Sequence, residues 1–287
     1  MSDMFLLQIG PEFLFSNIWV ILLLLLLLIP MTQRRVLDIA RRRLLVKMGN
    51  KRQSVVITLI HRQETLSFLG IPLARYIDVD DSEAVLRAIR TTPDDVPIDL
   101  ILHTPGGLAL AATQIALALK AHPAKKTVII PHYAMSGGTL IALAVDEIIM
   151  DPHAAMGPVD PQLGDYTGAY AATSLVKLME RKDINEVDDK TIVLADQAQK
   201  ALDQMESLVN VILEEKCEDA KIEKIIQELV SGKYTHDHPF MAQDTKRLLG
   251  DCVSTDVPDE VYELMNLYRM EVSRKRPGVE YVPVAGK

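Results

Sequence analysis

The sequence has few cysteines, few aromatic residues and no nucleotide-binding motif. Each of these shortages excludes a kind of fold or site. It holds two cysteines in 287 residues. Cys217 and Cys252 match no metal-binding or redox spacing, so we expect two reduced thiols rather than a disulfide scaffold. Aromatic side chains make up 5% of the chain, so the core must be largely aliphatic. The sequence has neither a Walker motif nor G-x-G-x-x-G, which argues against a phosphate-binding loop.

Charge is distributed unevenly along the chain. The formal net charge is −8 at pH 7, yet residues 31–52 carry eight basic side chains against one acid, Asp38. The remainder is acidic. One short basic segment in an otherwise acidic chain does not provide a surface suited to nucleic acid, so we predict no nucleic-acid partner.

A run without charge extends from Phe13 to Gln33. About 20 apolar residues are enough for a helix to cross a bilayer. Acidic residues precede the run and basic residues follow it, which is the reverse of a cleaved signal peptide. The positive-inside rule therefore predicts a single-pass N-terminal helix in the cell inner membrane, with the rest of the chain in the cytoplasm. Residues 34–52 are predicted to lie on anionic lipid headgroups.

After residue 52, apolar segments and helical patterns alternate. Strands are predicted at 54–60, 98–104, 126–131 and 147–150, with helices at 81–90, 107–122 and 137–146. This alternation predicts an α/β fold with a largely parallel sheet. Charged helices are predicted at about 172–182, 189–216, 219–231, 240–249 and 258–275. The predicted organisation is an anchor segment (1–33), a basic linker (34–52), a folded domain (53–275) and a tail (276–287).

Two glycine-rich turns follow predicted strands: "HTPGGLAL" (103–110) and "YAMSGGTL" (133–140). Each turn places backbone N–H groups at the start of a helix, where they can bind an anion or a developing oxyanion. A Pro-Gly-Gly sequence alone is more often a turn than a site. Ser136, in the second turn, is a candidate nucleophile.

The combination of these motifs resembles the Clp-fold serine peptidases. T-P-G-G, A-M-S-G-G and "ALAVDEIIMDPHAAMGPVD" are most similar to the branch of signal peptide peptidase A. "GPVDPQ" (157–162) and "SGKYTHDHPFMAQDTKRLLG" (231–250) resemble the membrane-anchored SDH (serine dehydrogenase proteinase) family. The resemblance covers about residues 54–255. It implies a Clp/crotonase-like superhelix of ββα units with a helical C-terminal half.

The resemblance also implies site residues. Ser136 would be the nucleophile, and the backbone N–H groups of Gly107 and Gly137 would form the oxyanion hole. A serine hydroxyl needs a base. The downstream histidine of the Clp protease has no counterpart in "MGPVDPQ", whereas the signal peptide peptidase A branch uses a lysine. That implies Lys190, 54 residues after Ser136. An apolar wall including Met135 would have to lower the pKa of this lysine, and the adjacent residues Asp188 and Asp189 would oppose such a shift.

Other bases stay open at this point. Lys177 and Lys182 lie in a charged helix that is typical of a solvated face. His103 and His132 are more typical of supporting residues, and His153 comes too early in the chain. The "HDH" at 236–238 lacks a third metal ligand, and the resemblance places it in a structural turn. We therefore expect no metal and no cofactor.

The implied function is a membrane-anchored serine endopeptidase with a Ser-Lys dyad. It would cleave peptides or membrane-protein segments through an acyl-enzyme at Ser136. Such domains bury strand edges by forming rings, so the resemblance also implies a homo-oligomer. Two alternatives are a crotonase-like acyl-CoA enzyme, which would need acidic catalytic residues and an adenine-binding surface, and a catalytically inactive membrane scaffold.

Overall fold

The computed structural model describes residues 18–62, 66–68, 71–73, 76–165 and 168–268. The chain divides into two compact units, residues 1–47 and 48–287. Helix α1 (Ile18–Arg52) makes up the described part of the first unit and continues to the start of the second. The basic stretch 34–52 is therefore helical.

Among the described residues, no helix is long and apolar enough to cross a bilayer. The predicted transmembrane helix thus lacks support from the structure. The charge-free run on which that prediction depends lies almost entirely outside the residues whose side chains are described.

The second unit alternates strands and helices. Its described strands are β1 (Val55–Ile60), β2 (Leu66–Phe68), β3 (Ile71–Leu73), β4 (Ile98–His103), β5 (Lys126–Ile130), β6 (Tyr133–Ala134), β7 (Glu147–Met150), β8 (Ala155–Met156), β9 (Gln162–Asp165), β10 (Gly168–Ala171), β11 (Phe240–Met241) and β12 (Val253–Ser254). Its described helices are α2 (Val79–Thr91), α3 (Ala109–Ala121), α4 (Gly137–Leu143), α5 (Ala172–Arg181), α6 (Asp189–Leu213), α7 (Asp219–Leu229), α8 (Ala242–Leu249) and α9 (Asp259–Leu267).

The main sheet has the order β1-β4-β5-β7-β12, and every neighbouring pair in it is parallel. This confirms the predicted α/β fold with a largely parallel sheet. Every residue of β4 and β5 is buried, as expected for central strands covered on both faces.

The two faces of the sheet are covered differently. Leu100 and Leu102 of β4 belong to the main hydrophobic cluster, which also contains side chains of α2, α3, α4 and α6. Alternate side chains point to the opposite face. On that face the hydroxyl of Thr58 lies 3.1 Å from that of Tyr268, just after α9. Helix α9 therefore covers the second face.

Several predicted boundaries shift. The predicted helix 81–90 begins at Val79, because Asp78 is its N-cap and forms a capping box with Asp81. The predicted helix 258–275 ends at Leu267, and residues from 269 onward lie outside the described part. The sequence pattern also misses the short strands β6, β8 and β11, which form a second sheet of order β11-β8-β6.

Candidate active site

Ser136 occupies the sharp turn between β6 and α4. Its backbone has φ 50° and ψ −116°. Residues other than glycine rarely adopt this conformation, and it is often found at functional sites. Ser136 is the N-cap residue of α4, yet its side chain makes no capping hydrogen bond. Its half-buried hydroxyl is therefore not used to cap the start of the helix.

The two glycine-rich turns lie against each other. The N–H of Thr104 donates to the carbonyl of Tyr133 at 3.1 Å, and the N–H of Met135 donates to the carbonyl of Thr104 at 3.0 Å. A Cβ added to Gly106 would lie 2.8 Å from Cβ of Ser136. Gly106 also has φ 104°, so glycine is required there both for space and for backbone conformation.

The N–H groups of Gly107 and Gly137 are near neighbours. A Cβ added to Gly137 would lie 3.7 Å from the nitrogen of Gly107. The next N–H, that of Leu108, donates to the carbonyl of Ile77 at 2.8 Å. In the described part of the chain, the N–H groups of Gly107 and Gly137 have no hydrogen-bond acceptor. Two N–H groups without an acceptor thus lie close together beside the turn of Ser136.

A polar network supports the first turn. The hydroxyl of buried Thr104 accepts from the N–H of Gly106 at 3.2 Å and lies 2.9 Å from Nδ1 of His61. Nε2 of His61 lies 3.1 Å from a carboxylate oxygen of Asp81. These contacts fix the turn that presents Gly107.

The structure places Lys190 near the start of α6, where it is exposed. Asp188 is the N-cap of this helix and accepts from the N–H and hydroxyl of Thr191 at 3.0 and 2.7 Å. The hydroxyl and backbone donors hold the pKa of Asp188 below its usual range. Within the described residues, no hydrogen bond joins Lys190 to Ser136. The other candidate lysines, Lys177 and Lys182, are also exposed.

A histidine–carboxylate pair that the sequence analysis did not identify lies at the end of the small sheet. Nδ1 of His236 is 2.8 Å from a carboxylate oxygen of Asp160. Asp160 is 2% exposed, and its second oxygen accepts from the Gln162 amide at 2.8 Å. Its hydrogen bond raises the pKa of His236 above 6.5, an effect larger than that of burial.

Strand pairing brings this pair and Ser136 to one edge of the small sheet. Met156 pairs with Ala134 in parallel and with Phe240 in antiparallel register. The chain after Ala134, the chain after Met156 and the chain before Phe240 therefore leave the sheet at the same edge. Ser136, Asp160 and His236 lie on these three segments.

Contacts between the segments confirm this proximity. A Cβ added to Gly157 would lie 2.4 Å from Cε of Met135 and 3.7 Å from the carbonyl of His238. The hydroxyl of Thr139, in α4, donates to the carbonyl of Gly157 at 2.8 Å. Met135 thus packs beside the turn before Asp160.

The remaining candidate histidines have surroundings different from those of His236. His238 stacks on Tyr234 with ring centroids 4.1 Å apart, and exposed His153 donates its N–H to the carboxylate of Asp151. His132 is exposed, whereas His103 is buried. No group of three or more His, Cys, Asp or Glu residues positioned to hold a metal occurs among the described residues.

One family model and two known proteins match most of this chain. The model of the ClpP-like SDH-type serine proteinases matches residues 10–287. Two uncharacterized proteins of Methanocaldococcus jannaschii are similar to this chain. MJ0137 is 52% identical, over 94% of this chain and 93% of that protein. MJ1495 is 54% identical, over 85% of this chain and 81% of that protein.

Solved structures are more distant. A mutant of the 1510-N membrane-bound stomatin-specific protease in complex with a substrate peptide is 18% identical, with a TM-score of 0.48 over 74% of this chain and 78% of that chain. A mutant of ClpP1 from Listeria monocytogenes is 13% identical, with a TM-score of 0.42 over 72% of this chain and 94% of that chain.

Proposed function

The chain belongs to the ClpP-like SDH-type serine proteinase family and is a serine-type peptidase; on that premise we propose that Ser136 is its nucleophile. The observation that carries this assignment is the strained turn of Ser136 beside two unbonded N–H groups, those of Gly107 and Gly137. Acyl transfer requires a nucleophile and an oxyanion hole in this arrangement.

The proposed reaction follows from these positions. The hydroxyl oxygen of Ser136 attacks the peptide carbonyl carbon and gives its proton to the base. The carbonyl oxygen becomes an oxyanion that accepts from Gly107 and Gly137. The C–N bond then breaks, and the departing amine takes the proton from the base. Water, deprotonated by the same base, releases the acyl group and restores the Ser136 hydroxyl.

We propose His236 as the base and Asp160 as the residue that positions it. Nδ1 of His236 contacts Asp160 at 2.8 Å, so Nε2 is the nitrogen available to a serine, as in Ser-His-Asp sites. A histidine titrates near neutral pH and needs no large pKa shift to act as a base. The small sheet puts all three residues at one edge.

Lys190 is the second candidate base, and it rests on the resemblance to the signal peptide peptidase A branch. A lysine must be desolvated to act as a base at neutral pH. In one chain Lys190 is exposed, so this dyad would need another surface, such as a second copy, to bury it.

Peptide cleavage by single variants tests these assignments. We expect Ser136→Ala to abolish cleavage, and His236→Gln to lower kcat/KM by about a thousandfold or more. Lys190→Met should behave like its control, Lys182→Met, and stay within a few-fold of wild type. Loss of activity in Lys190→Met together with a nearly unchanged His236→Gln variant would assign the base to Lys190. Persistent cleavage by a folded Ser136→Ala variant would contradict the nucleophile.

We further propose that residues 13–33 tether the peptidase to the cell inner membrane, with the domain in the cytoplasm. Support comes from the sequence alone, in the charge-free run and the eight basic residues after it. The proposed substrates are peptides or membrane-protein segments. The full chain should sediment with membranes after alkaline carbonate extraction, whereas Leu24→Arg should weaken this retention. Wild-type chain in the supernatant would contradict the tether.

We also propose a homo-oligomer. Exposed apolar side chains on several elements support it, including Leu108, Leu110, Tyr170 and Val193. Light scattering of the full chain in detergent should give a mass of several subunits after subtraction of the detergent, and a single-chain mass would contradict the proposal.

A further inference from the structure

A cavity of about 420 Å³ lies on the face of the main sheet that α9 covers. Its polar lining comes from Arg62, His103, His132, Tyr133, Tyr262 and Asn266. We name it the Arg62 cavity. Thr104, the residue after His103, faces the other way and bonds to His61 in the support of the catalytic turn. The cavity is therefore separate from the site of Ser136.

The guanidinium of Arg62 brings an uncompensated positive charge to this cavity. Arg62 is half-buried, and in the described part of the chain no carboxylate lies within ion-pair distance of it. Burial lowers the pKa of Arg62, but an arginine side chain stays charged in proteins. A partly desolvated cation without an anion is unfavourable unless a ligand supplies one.

His103 is the second group in the cavity that lacks a partner. It is 5% exposed, and its Nδ1 is buried with no hydrogen bond within the described residues. Its ring stacks on His132 with centroids 5.6 Å apart. Burial, and then the charges of His132 and Arg62, lower the pKa of His103 to about 4. A buried polar atom left without a partner is rare in proteins and calls for an explanation.

Two carboxylates close to lining residues of the cavity already have partners. Asp151 accepts from the hydroxyl of Tyr262 and from the N–H of His153. Glu260, at the start of α9, pairs with Lys51 at 2.9 Å. In the described part of the chain, Arg62 itself thus has no carboxylate partner, whereas burial, together with Asp151 and Asp259, raises the pKa of Tyr262 to about 12.

We propose that the Arg62 cavity binds an oxyanion, either a phosphate or a carboxylate group. The fork of the Arg62 guanidinium suits two oxygens of either group. The hydroxyl of Tyr133 and the amide of Asn266 can donate to the remaining oxygens. Buried His103 gives the cavity an additional response, because a bound anion favours its protonated form.

Calorimetric titration of the full chain tests the proposal, with sodium phosphate and sodium acetate as separate ligands and sodium chloride as reference at equal ionic strength. We expect saturable binding of one anion per chain, and the tighter ligand identifies the chemical class. Arg62→Gln should weaken binding about tenfold or more because it removes the charged donor, whereas Arg62→Lys should weaken it less. Arg87→Gln, an exposed site on α2, is the matched control and should bind like wild type.

A second measurement needs no variant. In the wild-type chain, saturating anion should raise the pKa of His103 from about 4, followed by NMR of the imidazole ring. Three results would overturn the proposal: no saturable binding of either anion, equal binding by folded Arg62→Gln and wild type, or an unchanged pKa of His103 at saturation. If Arg62→Gln fails to fold, the pKa of His103 decides. Neither measurement depends on peptidase activity.

Discussion

Asp99 and Asp160 are two equally buried carboxylates with different partners. Each is 2% exposed. Asp99 accepts from Nε and Nη2 of Arg52 at 2.6 and 3.0 Å, whereas Asp160 contacts Nδ1 of His236 at 2.8 Å. Arginine holds its charge at any physiological pH, but histidine exchanges its proton near neutrality. The first pair can therefore only hold the fold together, while the second can also transfer protons.

The positions of the two pairs agree with this difference. Arg52 is the last residue of α1 and Asp99 is in β4, and both residues belong to the second unit, so their contact holds parts of that unit together. His236 and Asp160 lie at the edge of the small sheet that also carries Ser136. The partner of a buried carboxylate, rather than its burial, separates a structural pair from a candidate catalytic pair.

The largest expected effect is on catalysis by Asp160→Asn. The amide no longer holds His236 in the correct tautomer, so kcat/KM should fall by about 10³- to 10⁴-fold. Peptide cleavage by purified variants measures this. Asp99→Asn is the matched control and should keep the kcat/KM of its folded fraction. Equal losses of kcat/KM in both variants would remove the proposed distinction.

The next effect is on stability. Asp99→Asn leaves the guanidinium of Arg52 partly buried without its partner, and the free energy of unfolding should fall by about 3–5 kcal/mol. Urea unfolding followed by circular dichroism measures the change. An Asp99→Asn variant as stable as wild type would show that this pair does not hold the fold.

His103 is buried like the two carboxylates, but its Nδ1 has no hydrogen-bond partner among the described residues. Its pKa is lowered to about 4 in the folded chain, so the unfolded chain takes up the proton first as pH falls. Stability should therefore drop between about pH 6.5 and 4, by up to about 3 kcal/mol. His103→Gln should flatten this drop in urea unfolding at several pH values. An unchanged slope in the folded variant would contradict the assignment.

The smallest effect is a shift in a pH profile. Asp160 raises the pKa of His236, and the base must be neutral, so kcat/KM should rise with pH through a value above 6.5. In Asp160→Asn the residual activity should rise at a lower pH than in wild type, because the group that raises the pKa of His236 is gone. A profile whose position is unchanged by Asp160→Asn would indicate another base, with Lys190 the first to test.

The raised pKa of His236 affects stability in the direction opposite to its effect on activity: the stability falls as pH rises. The folded chain binds a proton at His236 more tightly than the unfolded chain does. The pair with Asp160 therefore stabilises the fold fully below about pH 6.5, and this contribution is lost as pH rises through the raised pKa.

Local patterns in the sequence predicted the main sheet, and the turns at Gly107 and Ser136 lie where those patterns place them. These features depend on segments a few residues long, such as an apolar strand followed by Gly-Gly. The pair of His236 and Asp160 was missed because it joins residues 76 positions apart through β8 and β11. Two-residue strands have no periodicity to detect, and the family resemblance places "HDH" in a structural turn. An acid in the apolar turn "GPVDPQ" was the available signal.

Intact-mass analysis after treatment with a fluorophosphonate probe tests whether Ser136 is a nucleophile that His236 activates. We expect one adduct per wild-type chain, located on Ser136. Labelling should be absent in Ser136→Ala, strongly slowed in His236→Gln and normal in Lys190→Met. An unlabelled wild-type chain, an adduct on another residue, or full-rate labelling of His236→Gln would contradict it.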